Sequence, residues 1–310
     1  MGMIKRPSEL SVKDTLSVLI YGQPGIGKTT FGVSAPNAVL FDYDGGVQRI
    51  NGAHQVATLQ PTSWEDTALA LTEIQNEMPE IQTIVIDTVG KMLDYMSAYI
   101  IKNDAKMAMR DGSLSLKGYG VRKQMFVNFI KQLAIMGKNV VFIAHEREER
   151  RGEETFKRPE IGGSSANDLI KELDLVGYMY AVGKERIITF DPAEYYYAKN
   201  TCNLPAAIKL PVVVDEKGNG TANNAMANIV KSYEGAQVKR QETTAEYESL
   251  LAVIDEVVAT ATDVQTLNEA KDKVLGFTPI YDSFLKAQYA IAKKGKELGL
   301  TYNKAKKCYE

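Results

Sequence analysis

"LSVLIYGQPGIGKTTFG", residues 16–32, decides the fold. It reads as an apolar strand that runs into a glycine-rich turn and closes on a lysine and two threonines. Leu16 to Tyr21 supply β-branched and apolar residues suited to a buried parallel strand. The turn follows the spacing Gly22-x-x-x-x-Gly27-Lys28-Thr29, the phosphate-binding P-loop pattern. Gly22, Gly25 and Gly27 let the backbone turn sharply and aim successive N–H groups inward. Gln23, Pro24, Ile26 and Thr30 complete the candidate loop. Lys28 is expected to bridge the β- and γ-phosphates, and the Thr29 hydroxyl to ligate Mg²⁺. The alternative is a chance glycine turn, against which stand the strand before it and the helix-like "TTFGVSA" after it. The pattern predicts binding of a nucleoside triphosphate, with ATP and Mg²⁺ as the expected ligands. No residue in it reads the base, so ATP and GTP both stay open.

Composition sets the outer bounds. The chain has 310 residues, 45% hydrophobic and 25% charged, ordinary for a globular protein with ample core. A net charge of −2 offers no global field for nucleic acid, so such binding would rest on local patches. Cys202 and Cys308 lack metal or framework spacing and read as free thiols of a reducing compartment. No apolar run is long enough for a membrane span, and "MGMIKRPSEL" has no apolar signal core, so a cytoplasmic protein without membrane contact is expected.

Strands alternate with helices along the chain. "NAVLFDYDGG" (37–46), "QTIVIDTVG" (82–90) and "KNVVFIAHE" (138–146) read as buried strands, and "WEDTALALTEIQNEM" (64–78) and "VRKQMFVNFIKQLAIMG" (121–137) as amphipathic helices. Repeated β-then-α units with uniformly apolar strands argue for a parallel sheet covered on both faces. "LVGYMYAVGKERIITFDPAEYYYAKN" (175–200) reads instead as antiparallel hairpins at one sheet edge. "GAQVKRQETTAE" (235–246) looks like a linker, and only helical patterns follow it. The expected organisation is an α/β P-loop core over 1–235 and a small helical domain over 236–310.

Three further polar positions bear on chemistry. Asp87 ends an apolar strand, where a P-loop fold needs a carboxylate opposite Thr29 to hold Mg²⁺ directly or through water. Asp42 and Asp44 lie two apart and are expected to point to the same side, where one could orient a water in line with the γ-phosphate; two turn acids beside Gly45 and Gly46 are the alternative. His145 closes the strand "VVFIAH", either as a donor near the γ-phosphate or as a histidine satisfied at the sheet edge.

The order of these parts resembles the RecA-type recombinase core, and "IYGQPGIGKTTFG" with "LFDYDGG" is similar to the short RecA-like ATP-binding proteins of phages that act in recombination and single-strand annealing. The resemblance covers roughly residues 15–212. It implies a RecA-like fold, ATP hydrolysis and assembly as a ring or filament on single-stranded DNA, with a single-strand-binding protein as a further partner. By the same resemblance Asp44 positions the attacking water, with aspartate where RecA has glutamate. Asp87 is the magnesium-associated acid, and His145 stands where RecA couples the γ-phosphate to a DNA-binding loop. Lys199 matches one of two lysines offered to the neighbouring subunit's nucleotide, while Thr201 occupies the place of the other.

Two segments are candidates for carrying the polymer. The first, 102–120, holds Lys106, Arg110 and Lys117; the second, 146–163, holds Arg150, Arg151, Lys157, Arg158 and Phe156. Both read as mobile loops without a hydrophobic face, and basic groups beside an aromatic suit a single strand. The second also carries glutamates that nearly cancel its charge. The favoured function is an ATP-dependent, ATP-hydrolysing single-stranded-DNA-binding protein. The alternatives are a nucleotide-dependent assembly module without DNA contact and a P-loop kinase, against which no arginine-rich lid is present.

Overall fold

In chain order the elements are β1 (Ser17–Gly22), α1 (Lys28–Gly32), β2 (Ala38–Asp42), β3 (Ala57–Leu59), α2 (Trp64–Asn76), β4 (Thr83–Asp87), α3 (Val89–Asn103) and α4 (Leu116–Ile135). There follow β5 (Asn139–Arg151), β6 (Glu154–Pro159), α5 (Ser165–Glu172), β7 (Leu175–Val182), β8 (Glu185–Thr189), β9 (Lys199–Asn200) and β10 (Ala207–Lys209). The chain closes with α6 (Ala225–Ala259), α7 (Val264–Leu275), α8 (Ser283–Glu297), β11 (Tyr302–Asn303) and β12 (Cys308–Tyr309). This computed structural model describes residues 3–310 except Glu153, Gly163 and Ser164, and except the side chain of Arg151.

The main sheet has the order β10-β8-β7-β1-β5-β4-β2-β3. From β7 to β3 every neighbouring pair is parallel. At the other edge β8 pairs antiparallel with β7 and with β10, and β9 also pairs antiparallel with β7. The fold is therefore the expected α/β P-loop core, a mostly parallel sheet with antiparallel hairpins at one edge, followed by a helical C-terminal region.

Period-two side-chain direction explains why the central strands read as uninterrupted apolar runs. Leu19 and Tyr21 of β1 enter the layer formed with α2, α3 and α4, whereas Val18 and Ile20 enter the opposite layer with Phe31 of α1 and Met226, Ile229 and Tyr233 of α6. Tyr21, Phe41 and Phe142 are fully or almost fully buried, each such side chain stabilising the fold by about 2 kcal/mol. Tyr21 still satisfies its hydroxyl, which donates to the Tyr197 carbonyl at 2.6 Å and accepts the Tyr197 N–H at 2.9 Å.

Three expectations are corrected. The 146–163 segment is not a mobile loop: β5 and β6 form an antiparallel ribbon from Glu146↔Pro159 to Arg151↔Glu154. The 102–120 segment has its own apolar anchor, with Met107 and Leu114 buried against Ile100. The 235–246 stretch lies inside α6; its glutamine, lysine, arginine, glutamate and alanine are good helix formers, and no proline interrupts them.

Contacts divide the chain into two compact units, Asp14–Glu234 and Met1–Lys13 with Gly235–Glu310. The described residues up to Lys13 thus group with the helical unit rather than with the α/β core, as where the Ser8 N–H donates to Glu248 at 3.3 Å. That unit has its own core, built from Ile254 and Val258 of α6, Leu267 and Val274 of α7, Ile291 of α8, and Tyr309. Among the described residues no helix is long and apolar enough to cross a membrane.

Candidate nucleotide site

β1 delivers the chain to the P-loop at the C-terminal edge of the parallel strands, between β5 and β7. There Gly22 lies opposite both His145 and Met179. The approach is close: a Cβ on Gly22 would stand 2.2 Å from the Met179 carbonyl oxygen. Gly25 and Gly27 take positive φ angles of 75° and 98°, which turn the loop back toward α1. Pro24, Gly25, Gly27, Lys28, Thr29 and Thr30 line a cavity of about 480 Å³, together with Asp44, Asp87 and His145.

Lys28 is 5% exposed, with its ammonium donating to the carbonyls of Gly22 at 2.9 Å and Gln23 at 2.8 Å. Burial pulls its pKa down, and Asp87, Glu146 and Asp44 oppose that pull. A cation held inside its own loop in this way fits phosphate oxygens in place of carbonyl ones. The Thr29 hydroxyl donates to Asp87 Oδ2 at 2.6 Å. Burial is the main force raising Asp87 to about 6, against the Thr29 hydrogen bond; Asp44 and Asp42 push it further up and Lys28 pulls it down. A divalent cation between Thr29, Asp87 and phosphate oxygens would relieve that concentration of negative charge. No cluster of three or more metal-ligating side chains occurs among the described residues. That donor set suits Mg²⁺, which keeps waters and substrate oxygens rather than entering an all-protein cage.

Asp42 and Asp44 do not share a role. Asp42 is buried, its two carboxylate oxygens accepting the N–H groups of Gly46 at 2.8 Å and Val47 at 3.0 Å. β2 ends at Asp42, so the period-two expectation fails beyond it and Asp44 alone turns into the cavity. Asp44 Oδ2 lies 4.0 Å from His145 Nε2. His145 Nδ1 is buried without a hydrogen-bond partner among the described residues. Burial first, and then the Lys28 charge, lower the His145 pKa below the ordinary 6.5. His54 is the only other histidine, so proton NMR with His54→Gln as the assignment control isolates its titration. The expected midpoint lies below 6.5, and a γ-phosphate brought beside it would move the midpoint upward.

The other anticipated residues lie elsewhere. Lys199 is engaged inside its own chain, donating to the carbonyls of Ile170 and Leu173 at the C-terminal end of α5, where a cation satisfies the last helix carbonyls. It does not line the cavity. On the β5–β6 ribbon Lys157 is paired with Glu146 and Glu148, and Arg158 with Glu149. The Glu148 hydrogen bond leads in raising Lys157 to about 12. Phe156 is 9% exposed, with the Arg158 guanidinium 5.4 Å from its ring centroid, so it offers no open stacking face. Arg150 is exposed, and the Arg151 side chain lies outside the described residues. Lys106, Arg110 and Lys117 are exposed, Lys117 on the first turn of α4.

Sequence reading missed the remaining wall. The segment after β10, Leu210 to Val214, gives the cavity an apolar side, joined by Ile50, His54 and Arg186. His54 Nε2 lies 2.7 Å from the Val213 carbonyl, and the Leu210 N–H donates to the Arg186 carbonyl at 2.8 Å. The one signal in the sequence was the apolar run "LPVVV" after a short strand; its placement depends on pairing between distant segments.

The family described as "AAA domain" matches residues 14–202. This chain belongs to the AAA domain family. The match takes in the P-loop, Asp44, Asp87 and His145, and the AAA domain protein described here is a P-loop NTPase. It is similar in structure to a KaiC-like protein from the hyperthermophilic archaeon Pyrococcus horikoshii OT3, at 12% identity and a TM-score of 0.35, covering 57% of this chain and 78% of that one. None of the curated proteins compared with the sequence matches it.

Proposed function

We propose that this AAA domain protein binds ATP with Mg²⁺, hydrolyses it to ADP and phosphate, and works as an oligomer on single-stranded DNA in phage recombination or annealing. The observation that carries the nucleotide part is the Thr29–Asp87 hydrogen bond beside the buried Lys28, with Asp44 and His145 facing the same cavity. Thr29 and Asp87 are the residues that would hold Mg²⁺, which supplies charge neutralisation at the phosphates when bound. Lys28 binds the phosphate oxygens. Asp44, near His145, orients a water for in-line attack on the γ-phosphorus and accepts its proton. Neutral His145 is a hydrogen-bond donor that can report the γ-phosphate to β5, the strand that continues into the ribbon.

Support for DNA binding comes from exposed basic side chains, and their pairing shifts its weight. Lys106, Arg110, Lys117 and Arg150 are open to solvent, whereas Lys157 and Arg158 are occupied by glutamates. Replacing Lys106, Arg110 and Lys117 together by glutamine should flatten the slope of log affinity against log salt for an oligonucleotide single strand by about 2, or 0.7 per lost phosphate contact. Fluorescence anisotropy measures this directly, and an unchanged slope would remove the first segment from the DNA surface.

The same internal pairing on the ribbon favours a second reading, a nucleotide-dependent assembly module without DNA contact. Steady-state ATP hydrolysis with and without single-stranded DNA separates the two. Several-fold stimulation weakened by salt supports the DNA-coupled enzyme. A rate indifferent to DNA at every protein concentration favours the assembly module, with a second copy of the chain or a single-strand-binding protein as the partner to seek.

A further inference from the structure

Arg186 faces the P-loop from a strand that lies outside every nucleotide motif. Its position follows from register: Gly22 of β1 is opposite Met179 of β7, and the chain turns at Gly183 so that Ala181 meets Arg186 on β8. The side chain returns toward the loop. A Cβ built on Gly27 would lie 3.8 Å from Arg186 Nε and 3.9 Å from its Cδ, so the guanidinium stem crosses directly over the phosphate-binding turn. Arg186 lines the same cavity as Lys28, Thr29 and Asp87.

Its backbone is held and its head is free. β8 is paired on both sides, by β7 and β10, and the Arg186 carbonyl accepts the Leu210 N–H at 2.8 Å. The adjacent carboxylate, Glu185, is taken by Lys209. Among the described residues no carboxylate pairs with Arg186. An uncompensated, solvent-accessible cation anchored on a sheet strand above a loop of inward N–H groups is suited to a polyanion entering that loop.

We propose that Arg186 is a ligand of the nucleotide phosphates, supplied by the same subunit that holds the P-loop. The proposal rests on the ATP reading above and names a group of that site which no motif contains. Lys28 approaches the phosphates from within the loop and Arg186 from across it. In hydrolysis the water oxygen bonds to the γ-phosphorus and the bond to the β–γ bridging oxygen breaks. Its electron pair stays on ADP, and the released proton passes through Asp44 to solvent. Arg186 meets the negative charge that grows on the leaving β-phosphate. With Lys199 capping α5 in its own chain, the cation opposite the P-loop is provided in cis.

The test uses the full chain and the fluorescent analogue mant-ATP, with Arg186→Ala and Arg186→Lys. Arg186→Ala should weaken mant-ATP binding about 10-fold and slow hydrolysis about 10²-fold, with Arg186→Lys recovering part of both. The unfolding midpoint without nucleotide should stay at the wild-type value, because the backbone contacts of β8 remain. Mixing Arg186→Ala with Lys28→Ala protein should yield no more activity than the sum of the two alone. Binding and hydrolysis within twofold of wild type would overturn the proposal, and so would activity regained on mixing, which would place the group across a subunit interface. If the folded wild-type protein fails to bind mant-ATP, the ATP reading itself falls, and this proposal with it.

Discussion

Lys28→Ala should abolish measurable nucleotide turnover, lowering ATP hydrolysis by about 10²- to 10³-fold, the loss that follows removal of one preorganised charge from a reacting phosphoryl group. The reason is specific to this loop. The ammonium is already desolvated and fixed on the Gly22 and Gln23 carbonyls, so no reorganisation is needed when phosphate enters. The fold should barely notice the change. A buried cation held by two neutral carbonyls balances its hydrogen bonds against desolvation, so thermal unfolding without nucleotide should move by a few degrees at most. Added ATP raises the unfolding midpoint of a protein that binds it, and this rise should be present in wild type and absent in Lys28→Ala. A mutant that keeps both the rise and the turnover would show that the P-loop lysine is idle here.

Gly22→Ala should do more damage with a single methyl group. The added Cβ would stand 2.2 Å from the Met179 carbonyl oxygen and 3.2 Å from its carbonyl carbon. These are backbone atoms of a strand paired on both sides, so no side chain can swing away. Relief requires β1 and β7 to separate where they enter the site. Overpacking of this kind costs about 3 kcal/mol, and it displaces the loop that carries Lys28. Chemical denaturation should show a lower midpoint with an unchanged slope, and mant-ATP binding should be lost even below the unfolding transition. A variant with wild-type stability would mean that the two strands part more easily than their ladder suggests.

Both substitutions fall on P-loop residues readable in the chain, but only the fold brings the Met179 carbonyl against Gly22. Lys28, Thr29 and Asp87 were identifiable because their chemistry is tied to local order: a glycine turn between strand and helix, and a carboxylate at the end of an apolar strand. Spacing alone showed Asp42 and Asp44 only as a pair, and it was the resemblance that singled out Asp44. Which acid turns inward depends on where β2 stops, and the Gly45–Gly46 turn, capped by Asp42 itself, ends the period-two rule. The ribbon of β5 and β6 was misread for a similar reason. Alternating glutamates and basic residues look like a solvated loop in one dimension, and only cross-strand pairing shows that Lys157 and Arg158 answer Glu146, Glu148 and Glu149.

Legible in the chain alone were the α/β class, the phosphate loop, the parallel character of the apolar strands and the mainly helical character of the residues after 235, where the β11–β12 pair is the exception. All of these are short-range properties, set by hydrophobic period and backbone conformational preference over a few residues. The rest of the site comes from long-range packing. That packing set Lys199 on the carbonyl end of α5, brought Leu210 to Val214 and His54 together as an apolar wall, and laid Arg186 across the P-loop. These placements draw on the pairing of β7 with β8 and β9 and of β8 with β10, and a strand register is settled by the faces that must be buried once the whole sheet is assembled. A cation on a hairpin strand such as β8 carries no local sign of which loop it will face.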